Sequence, residues 1–439
     1  MTAIIFLEKG IMESVELKTK SPWWWIPSLY FGQGIPYVVV MSISVIMYKR
    51  MGISNTDIAL YTSWLYLPWV IKPLWSPFVD MFRTKRFWIV ALQLVIGASL
   101  AAVAFTITLS NFFQITLAVF WLMAFSSATH DIAADGFYML ALEQHQQAAF
   151  VGVRSTFYRV AMITGQGVLV VLAGWLENST GSIPTGWSIT FFVLSGIFIA
   201  LFIYHRFMLP YPAGDKATLA QSSSQEILKE FFNTFATFFK RKEIAVILAF
   251  LLLYRFAEAQ LVKLVTPFLL DPRTGGGLGL TTQEVGIVYG SVGVVSLTLG
   301  GLLGGYVISK RGLKFWLWPM VFIIHLPDAA FVFLSQVQPE NFFIINAAVA
   351  LEQFGYGFGF TAYILYMIMV SEGEHKTAHY AICTGFMALG MMLPGMFSGW
   401  LQDQIGYGNF FLWVMASTIP GFLVAALVKI PEGFGKKKE

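Results

Sequence analysis

The sequence predicts an all-α membrane protein in which twelve transmembrane helices form two six-helix halves. Only 12% of the 439 residues are charged and 57% are hydrophobic, whereas a soluble domain carries about 25% charged residues. The apolar runs continue for 20 or more residues, which suits membrane helices and exceeds the ~10-residue strands of a membrane barrel. The order of apolar segments and several short motifs also repeats after a polar linker.

Twelve apolar segments, numbered 1 to 12 in chain order, are the predicted spans. They cover residues 23–47, 57–79, 87–109, 112–140, 148–176, 187–208, 244–270, 283–308, 314–335, 341–371, 377–401 and 408–430. The linker between segments 6 and 7 contains "LPYPAGDK" and "SSSQ", followed by the amphipathic stretch "EILKEFFNTFATFFK". Such a stretch is expected to lie along the membrane surface.

Five regions follow from these segments. They are a cytoplasmic N-terminal segment (1–22), a first six-helix bundle (23–208), a linker with an amphipathic helix (209–243), a second six-helix bundle (244–430) and a basic cytoplasmic tail (431–439). No cleavable signal is expected at the N-terminus, because the first apolar run is too long and lacks a small-residue cleavage site. The single cysteine, Cys383, excludes an internal disulfide and a cysteine metal site.

The distribution of basic residues predicts the orientation. With an even number of spans, both termini lie on one side, and that side holds 20 of the 28 Lys and Arg residues. The other side holds three of them, Lys49, Arg50 and Arg273. Because cytoplasmic loops are enriched in Lys and Arg, both termini are predicted to be cytoplasmic.

Short motifs occupy matching positions in the two halves. A Tyr-x-Ser motif near the outer end of segment 2, a basic loop and a Phe-Trp pair all recur in segments 8 and 9. "NFF" recurs at 111 and 341, and "GWL" at 174 and 399. This organisation resembles the parallel repeat of the major facilitator fold, in which the substrate site lies between the halves near the membrane midplane.

The loop after segment 2, "SPFVDMFRTKR", is a candidate cytoplasmic gate. Asp80 and the basic residues Arg83, Lys85 and Arg86 resemble the acid and the bases of the conserved loop in this fold. Charge pairs in such a loop cap helix ends and rearrange when the gate opens. The alternative is a simple positive anchor on the cytoplasmic side.

Segment 4 ends in "SSATHDIAAD", which places Asp131 and Asp135 on one helix face. An unpaired charge costs ~3 kcal/mol at the bilayer centre, so each acid needs a partner or a wet cavity. Counting outward from the turn near residue 145 puts Asp135 level with Arg154 and Asp131 level with Arg159. The pairs are either structural bridges or a coupling site, with Asp135 and Arg154 nearer the cytoplasmic gate. His130 lies off this face and is expected to point at a neighbouring helix.

Segment 7 carries the most polar groups, in "LLLYRFAEAQLVKLVTPFLL". Arg255 and Glu258 are three residues apart and are expected to bridge each other. Tyr254 is a candidate substrate-binding residue, and Lys263 is expected to extend toward the outer interface. Since segments 1, 4, 7 and 10 line the cavity in this fold, Glu258 is the first candidate for a proton-carrying carboxylate.

Segments 10 and 1 add polar and aromatic groups to the same cavity. Glu352 is followed by Gln353 and Tyr356 in segment 10, and Gln33 by Tyr37 in segment 1. Glu352 is a further candidate proton carrier. Aromatic rings and amide groups around one cavity suit a sugar, because rings stack on its apolar face and amides bind its hydroxyls.

Other polar residues allow less specific interpretations. Lys72, a further candidate gate residue, either reaches the cytoplasmic interface or pairs with an acid of segment 4 or 11. His325 and Asp328 are expected to form a local hydrogen bond. His375 and His379 have a metal-ligand spacing, but their place at a cytoplasmic helix end favours a solvated face, so no metal site is predicted. No nucleotide-binding motif and no nucleophile–base–orienter set is found, so an ATP-driven pump and an enzyme are both disfavoured.

Several motifs together resemble the AmpG-type muropeptide permeases of the major facilitator superfamily, which are related to acetyl-CoA transporters. They are "GIPY", "LPWVIKPLWSPFVD", "FSSATHDIAADGF", "FYRVAM" and "LLLYRFAEA". The positions that the resemblance carries over are Lys72, Asp80, Asp131, Asp135 and Arg159. The chain departs from the family at Tyr138, where an arginine is usual, and it lacks two extra helices that some members have.

The resemblance implies proton-coupled import of peptidoglycan-derived muropeptides, or related amino-sugar solutes, across the bacterial inner membrane. The predicted substrate-binding residues are Gln33, Tyr37, Asp131, Arg159, Tyr254, Arg255, Gln353 and Tyr356. The expected partners are the solute, protons and the lipid bilayer, with no nucleic acid and no cofactor, and the expected state is a monomer. The alternatives are a permease of the same fold for a siderophore, an acyl-CoA-like anion or a glycan-derived disaccharide, and a passive uniporter.

Overall fold

The computed structural model describes residues 20–216, 224–373 and 375–437, which form helices and connections without a β-strand. In the first half the helices are Ile26–Val38 and Ser44–Arg50 (segment 1), Asn55–Trp64 and Leu67–Phe82 (2), Lys85–Thr106 (3), Phe112–Ala141 (4), Gln144–Ile163 and Val170–Thr180 (5), and Ile183–Met208 (6). After the linker helix Ser224–Phe239 they are Ile244–Leu253 and Phe256–Leu270 (7), Thr282–Val285 and Val294–Arg311 (8), Leu313–His325 and Ala329–Val337 (9), Phe342–Ser371 (10), and Lys376–Ala416 and Ile419–Leu427 (11 and 12).

Ten helical stretches in the described ranges are long and apolar enough to cross a membrane. One of them, Lys376–Leu427, has 52 residues and includes segments 11 and 12, with a bend at Gly406, whose φ of 73° favours glycine. Segment 2 is not among the ten, because its two helices have 10 and 16 residues. Counting segment 2 as a span, and segments 11 and 12 as two spans, would give twelve. The number of twelve spans remains a prediction.

Several helices are interrupted within the predicted spans. Segments 1, 5 and 8 contain π-helical turns at Val39–Ile43, Thr164–Leu169 and Gly286–Gly293. Segment 9 contains the 3₁₀ turn Leu326–Asp328, where Pro327 cannot donate a backbone hydrogen bond. Segment 7 breaks between its two helices. Interruptions of this kind often mark functional sites in membrane helices.

Helix contacts follow the same scheme in both halves. Segment 1 packs on segment 5, and the corresponding segment 7 packs on segment 11. Between the halves, segment 2 packs on segment 11 and segment 5 on segment 8. The π-helical turns of segments 5 and 8 touch at Gly290, where a Cβ atom would overlap the carbonyl of Gln166. Large side chains such as Phe105 and Phe343 lie exposed on the outside, as expected for lipid-facing positions.

Candidate functional site

Four charged side chains form a cluster where segments 2, 4 and 5 meet, here called the N-terminal charge cluster: Lys72, Asp131, Asp135 and Arg154. The Lys72 ammonium forms an ion pair with Asp131 Oδ2, and Gln33 Nε2 donates a hydrogen bond to Asp131 Oδ1. The side chains of Lys72 and Asp131 keep 21% and 24% of their surface exposed. Of the two alternatives for Lys72, the structure therefore shows the pair with an acid of segment 4.

The second pair of this cluster joins Arg154 to Asp135 across 2.8 Å. The Tyr30 hydroxyl lies 3.4 Å from Asp135 Oδ1, and the Arg154 guanidinium lies 4.6 Å from the centre of the Tyr30 ring. The pair expected from the hairpin of segments 4 and 5 is thus present. With two acids and two bases, the cluster has no net charge.

Arg159 does not pair with Asp131, so the second pairing expected from the hairpin is wrong. Its Nη1 donates instead to Thr298 Oγ1 on segment 8, at 3.1 Å. The hairpin count fixes the height of a residue along the helix but not its direction. Five residues separate Arg154 from Arg159, which turns their side chains about 140° apart around the helix axis. Arg159 consequently faces the other half of the molecule.

A second group, the C-terminal carboxylate cluster, consists of Glu258, Asp328 and Glu352. One oxygen from each carboxylate lies within 4.8 Å of the others, and the three residues are 0%, 1% and 1% exposed. Gln353 Nε2 donates to Glu352 Oε2 at 3.0 Å. The cluster joins segments 7, 9 and 10.

Arg255 does not bridge Glu258, contrary to the expectation from their spacing. Its guanidinium hydrogen bonds to the Tyr356 hydroxyl and lies 4.6 Å from the centre of the Phe360 ring. Arg255 lies at the break in segment 7, with φ −108° and ψ 22°, which are not helical values. The regular i, i+3 relation to Glu258 is therefore lost.

Two further expectations about segments 7 and 9 are wrong. Lys263 does not extend outward; it is buried and donates to Thr62 Oγ1 at 2.8 Å, because segment 7 lies inside the bundle and not against lipid. His325 and Asp328 do not bond each other, and neither has a side-chain hydrogen-bond partner within the described residues. The 3₁₀ turn Leu326–Asp328 separates the two side chains and directs Asp328 toward the carboxylate cluster.

The remaining predicted substrate-binding residues have diverse surroundings. The Tyr37 ring meets the Trp69 ring edge-on, with 5.3 Å between centres. Tyr254 is fully buried in the C-terminal half, and its hydroxyl donates to the Gly359 carbonyl at 3.1 Å. His130, as expected, points at a neighbouring helix and contacts Gln93 on segment 3 at 3.2 Å.

At the predicted cytoplasmic gate, the side chain of Asp80 lies outside the described part of the structure. The Arg83 guanidinium lies 5.3 Å from the centre of the Phe87 ring. Asp215 of the linker accepts hydrogen bonds from the backbone N–H groups of Lys85 and Arg86, at 2.6 and 3.0 Å. The linker thus caps the positive end of segment 3.

The predicted external ends of the halves are joined by polar contacts, here called the outer network: Lys49, Asn55, Asp271, Gln402 and Tyr407. Lys49 forms an ion pair with Asp271 at 2.6 Å, and Tyr407 donates to Asp271 at the same distance. Asn55 Nδ2 lies 2.6 Å from Gln402 Oε1 and 2.9 Å from the Tyr407 hydroxyl. These contacts hold segments 1 and 2 against segments 7, 11 and 12.

A second set of contacts at this end centres on Glu177, which is 6% exposed. Arg50 pairs with it at 2.9 Å, and Trp187 Nε1 donates to it at 2.8 Å. Thr282 of segment 8 donates to the same carboxylate at 2.9 Å. Glu177 therefore connects segment 5 to segment 8.

Sequence reasoning missed Asp328 as a cluster member and did not find the outer network. A signal for the network was present, since Lys49 and Arg50 are two of the three basic residues on the poorly charged side. Basic residues on the external side depart from the positive-inside pattern and therefore suggest a specific contact. Here Lys49 and Arg50 are each paired with an acid. Asp328 gave no such signal, because its direction depends on the 3₁₀ turn.

Comparison with known proteins identifies the family of this fold. The family described as Major Facilitator Superfamily matches residues 28–373. The putative transporter AmpG 4 of Rickettsia conorii is 25% identical over 89% of this chain and 92% of its own length. The anhydromuropeptide permease of Escherichia coli is 24% identical over 90% of this chain and 77% of its own.

Solved structures agree on the fold. The nucleoside transporter NupG superposes with a TM-score of 0.68 at 16% identity, covering 92% of this chain and 98% of that one. A D-xylose–proton symporter superposes with a TM-score of 0.66 at 12% identity, covering 94% of this chain and 98% of that one. The major facilitator fold and the resemblance to AmpG-type permeases are thereby confirmed, and the chain is a multi-pass membrane transporter and not an enzyme. This chain belongs to the Major Facilitator Superfamily.

Proposed function

We propose that this transporter imports peptidoglycan-derived muropeptides or related amino-sugar solutes across the bacterial inner membrane, driven by protons. The observation that carries the proposal is the similarity to an anhydromuropeptide permease over 90% of the chain. The protein is proposed to act as a monomer, with both termini in the cytoplasm and with residues 23–208 and 244–430 as the two moving bundles.

The side chains between the two bundles suit a sugar that carries anionic groups. Tyr37 and Tyr356 offer aromatic faces, and Arg159 and Arg255 contribute a guanidinium from each half. Each guanidinium contacts a neutral hydroxyl, of Thr298 or of Tyr356, and neither forms an ion pair with a carboxylate among the described residues. A muropeptide has sugar rings and free peptide carboxylates, which match these groups.

Asp131 is the proposed site of proton coupling in the N-terminal half. Its side chain keeps 24% of its surface exposed, and Lys72 and Gln33 both contact its carboxylate. A proton on Asp131 would remove the ion pair and free the Lys72 ammonium for a solute carboxylate. Glu258 and Glu352, the other predicted proton carriers, lie in a separate buried cluster.

The conformational cycle follows from where the halves touch. In this structure the outer network joins them at the predicted external ends, which closes that side. Asp135 with Arg154, together with Asp80 and Arg83, would form the gate at the cytoplasmic side and exchange partners when the bundles rock.

Uptake of labelled anhydromuropeptide by cells that lack their own permease tests the proposal. Expression of the wild type should restore uptake, a protonophore should abolish it, and Asp131→Asn should reduce it at least tenfold. Asp57→Asn, a matched change at the start of segment 2 far from the cluster, should transport normally. Failure to restore uptake would reject this solute and leave siderophores, acyl-CoA-like anions and disaccharides to be tested. Uptake that a protonophore leaves unchanged and that stops at equal inside and outside concentrations would indicate a uniporter.

A further inference from the structure

The C-terminal carboxylate cluster brings three acids together in the least exposed part of the molecule. Glu258 lies in the first turn after the break of segment 7, Asp328 in the 3₁₀ turn of segment 9, and Glu352 in the continuous helix of segment 10. None of the three is more than 1% exposed. Three separate elements therefore direct carboxylates to one point within the membrane-spanning region.

Five of the six carboxylate oxygens have no hydrogen-bond partner among the described residues. They are both oxygens of Glu258, both oxygens of Asp328, and Oε1 of Glu352. Buried acids without partners are costly, and they are rare unless they serve a function. One oxygen of each acid lies within 4.8 Å of the others. The three carboxylates therefore converge on one buried point without a donor to satisfy most of their oxygens among the described residues.

The charges around the cluster do not balance it. Arg255, on the same helix as Glu258, is engaged with Tyr356. Lys263 is engaged with Thr62 on segment 2. A further polar group in contact is the neutral amide of Gln353, which donates to Glu352. Among the described residues, the three carboxyl groups thus face at most one nearby guanidinium.

The spacing and the backbone both fit a metal cation. Hard cations bind carboxylate oxygens at about 2.0–2.6 Å, so oxygens on opposite sides of one ion lie up to about 5 Å apart. The oxygens of the cluster lie within 4.8 Å of one another. Two of the three acids lie at helix breaks, and broken helices are how membrane transporters build ion sites.

We propose that Glu258, Asp328 and Glu352 bind a hard metal cation through their carboxylate oxygens. The cation holds segments 7, 9 and 10 together and balances their charge. The site is separate from the proposed proton site at Asp131, and it does not depend on which solute is carried. Na⁺, Ca²⁺ and Mg²⁺ share this oxygen-seeking chemistry.

Thermal unfolding and cation binding of the purified full-length protein test the site. In choline chloride buffer at fixed pH and ionic strength, one of NaCl, CaCl₂ or MgCl₂ should raise Tm by a few degrees, in a saturable manner. The cation that does so identifies the occupant. Radiolabelled Na⁺ or Ca²⁺ should bind in the corresponding case with one ion per chain.

Variants separate this site from other effects of salt. Asp328→Asn should abolish both the Tm shift and the binding, and Glu352→Gln provides the same test if the first variant does not fold. Asp57→Asn and Glu340→Gln, at exposed or peripheral positions, should keep both. The proposal is overturned if no cation exceeds choline for the wild type, or if the shift survives in Asp328→Asn and Glu352→Gln. Stabilisation by acid alone would assign the cluster to protons and would leave the proposed muropeptide import intact.

Discussion

The two halves of this transporter hold buried charge in opposite ways. In the N-terminal charge cluster, Lys72 and Arg154 are paired with Asp131 and Asp135, so the cluster is neutral, and its side chains stay partly exposed. In the C-terminal carboxylate cluster, three acids face one another at no more than 1% exposure, and no ion pair joins them to a base within the described ranges.

This difference in charge balance indicates that the two clusters have different roles, although the helices of the two halves pack in the same scheme. A neutral, accessible set of ion pairs can be rearranged by one proton or one anionic solute. A closed acidic set changes little during such an exchange and instead needs cations to be stable. Coupling is therefore expected in the first half, and ion-dependent integrity in the second.

The largest expected effect is at the Lys72–Asp131 pair. Lys72→Met leaves the Asp131 carboxylate without its ammonium partner, which should lower the free energy of unfolding by about 2–3 kcal/mol and abolish uptake. The double variant Lys72→Met with Asp131→Asn removes both charges and should recover most of that stability without restoring uptake. Chemical unfolding and solute uptake measure the two properties.

The matched control for this change is Lys216→Met, because Lys216 is exposed in the linker. It should alter neither property. If the single and double variants were equally unstable, the ion pair would not be what stabilises the N-terminal cluster, and the contrast between the halves would fail.

A change of opposite sign is expected in the C-terminal cluster. Without metal cations, Asp328→Asn removes one of three repelling charges and should raise the free energy of unfolding by about 1–2 kcal/mol. Asp131→Asn, measured in the same choline buffer, should lower it, since it leaves the Lys72 ammonium alone. Equal signs for these two substitutions would show that the clusters do not differ in charge balance.

The outer network gives a third test, because it joins the two halves that the comparison separates. Asp271→Ala removes the acceptor of Lys49 and Tyr407 and should favour opening of the predicted external side by about 1 kcal/mol, or roughly fivefold. A cysteine placed by Ser63→Cys in a Cys383→Ser background lies between segments 2 and 11, where Gly395 approaches it. Its labelling by an impermeant maleimide from outside should rise accordingly, and the same cysteine combined with Asp57→Asn should label as in the parent.

Much of the fold was readable from the sequence because hydropathy and helix periodicity act locally. The same reasoning placed Asp135 opposite Arg154, because the turn between two antiparallel helices determines which residues lie at the same height along the two helix axes. It misplaced Arg159, because height does not determine the direction of a side chain around its helix. The sequence pattern was therefore sufficient to predict the helices and the height of each residue along them. It was insufficient to predict ion pairs that depend on the direction of a side chain around its helix axis.

The rest of the candidate site depends on features that no local pattern encodes. Asp328 reaches the carboxylates only through a 3₁₀ turn, and Arg255 leaves Glu258 only because segment 7 breaks there. Lys263 was expected to extend toward the outer interface by a rule for helix ends, whereas its side chain is buried against segment 2. Lys49 and Asp271 are distant in sequence and meet only after the bundles assemble.

The smallest expected effect is at Tyr30, and it separates the ion pairs from their surroundings. The Tyr30 hydroxyl is 3.4 Å from Asp135, a long hydrogen bond, while Arg154 lies over the ring. Tyr30→Phe keeps the ring and its cation–π contact, so unfolding should change by about 0.5 kcal/mol or less and uptake should stay near wild type. Tyr30→Leu removes the ring as well and should cost about 1 kcal/mol more. A loss of uptake in Tyr30→Phe as large as that in Lys72→Met would mean that the hydroxyl takes part in proton transfer to Asp135, and the N-terminal cluster would then work as a relay and not as two separate pairs.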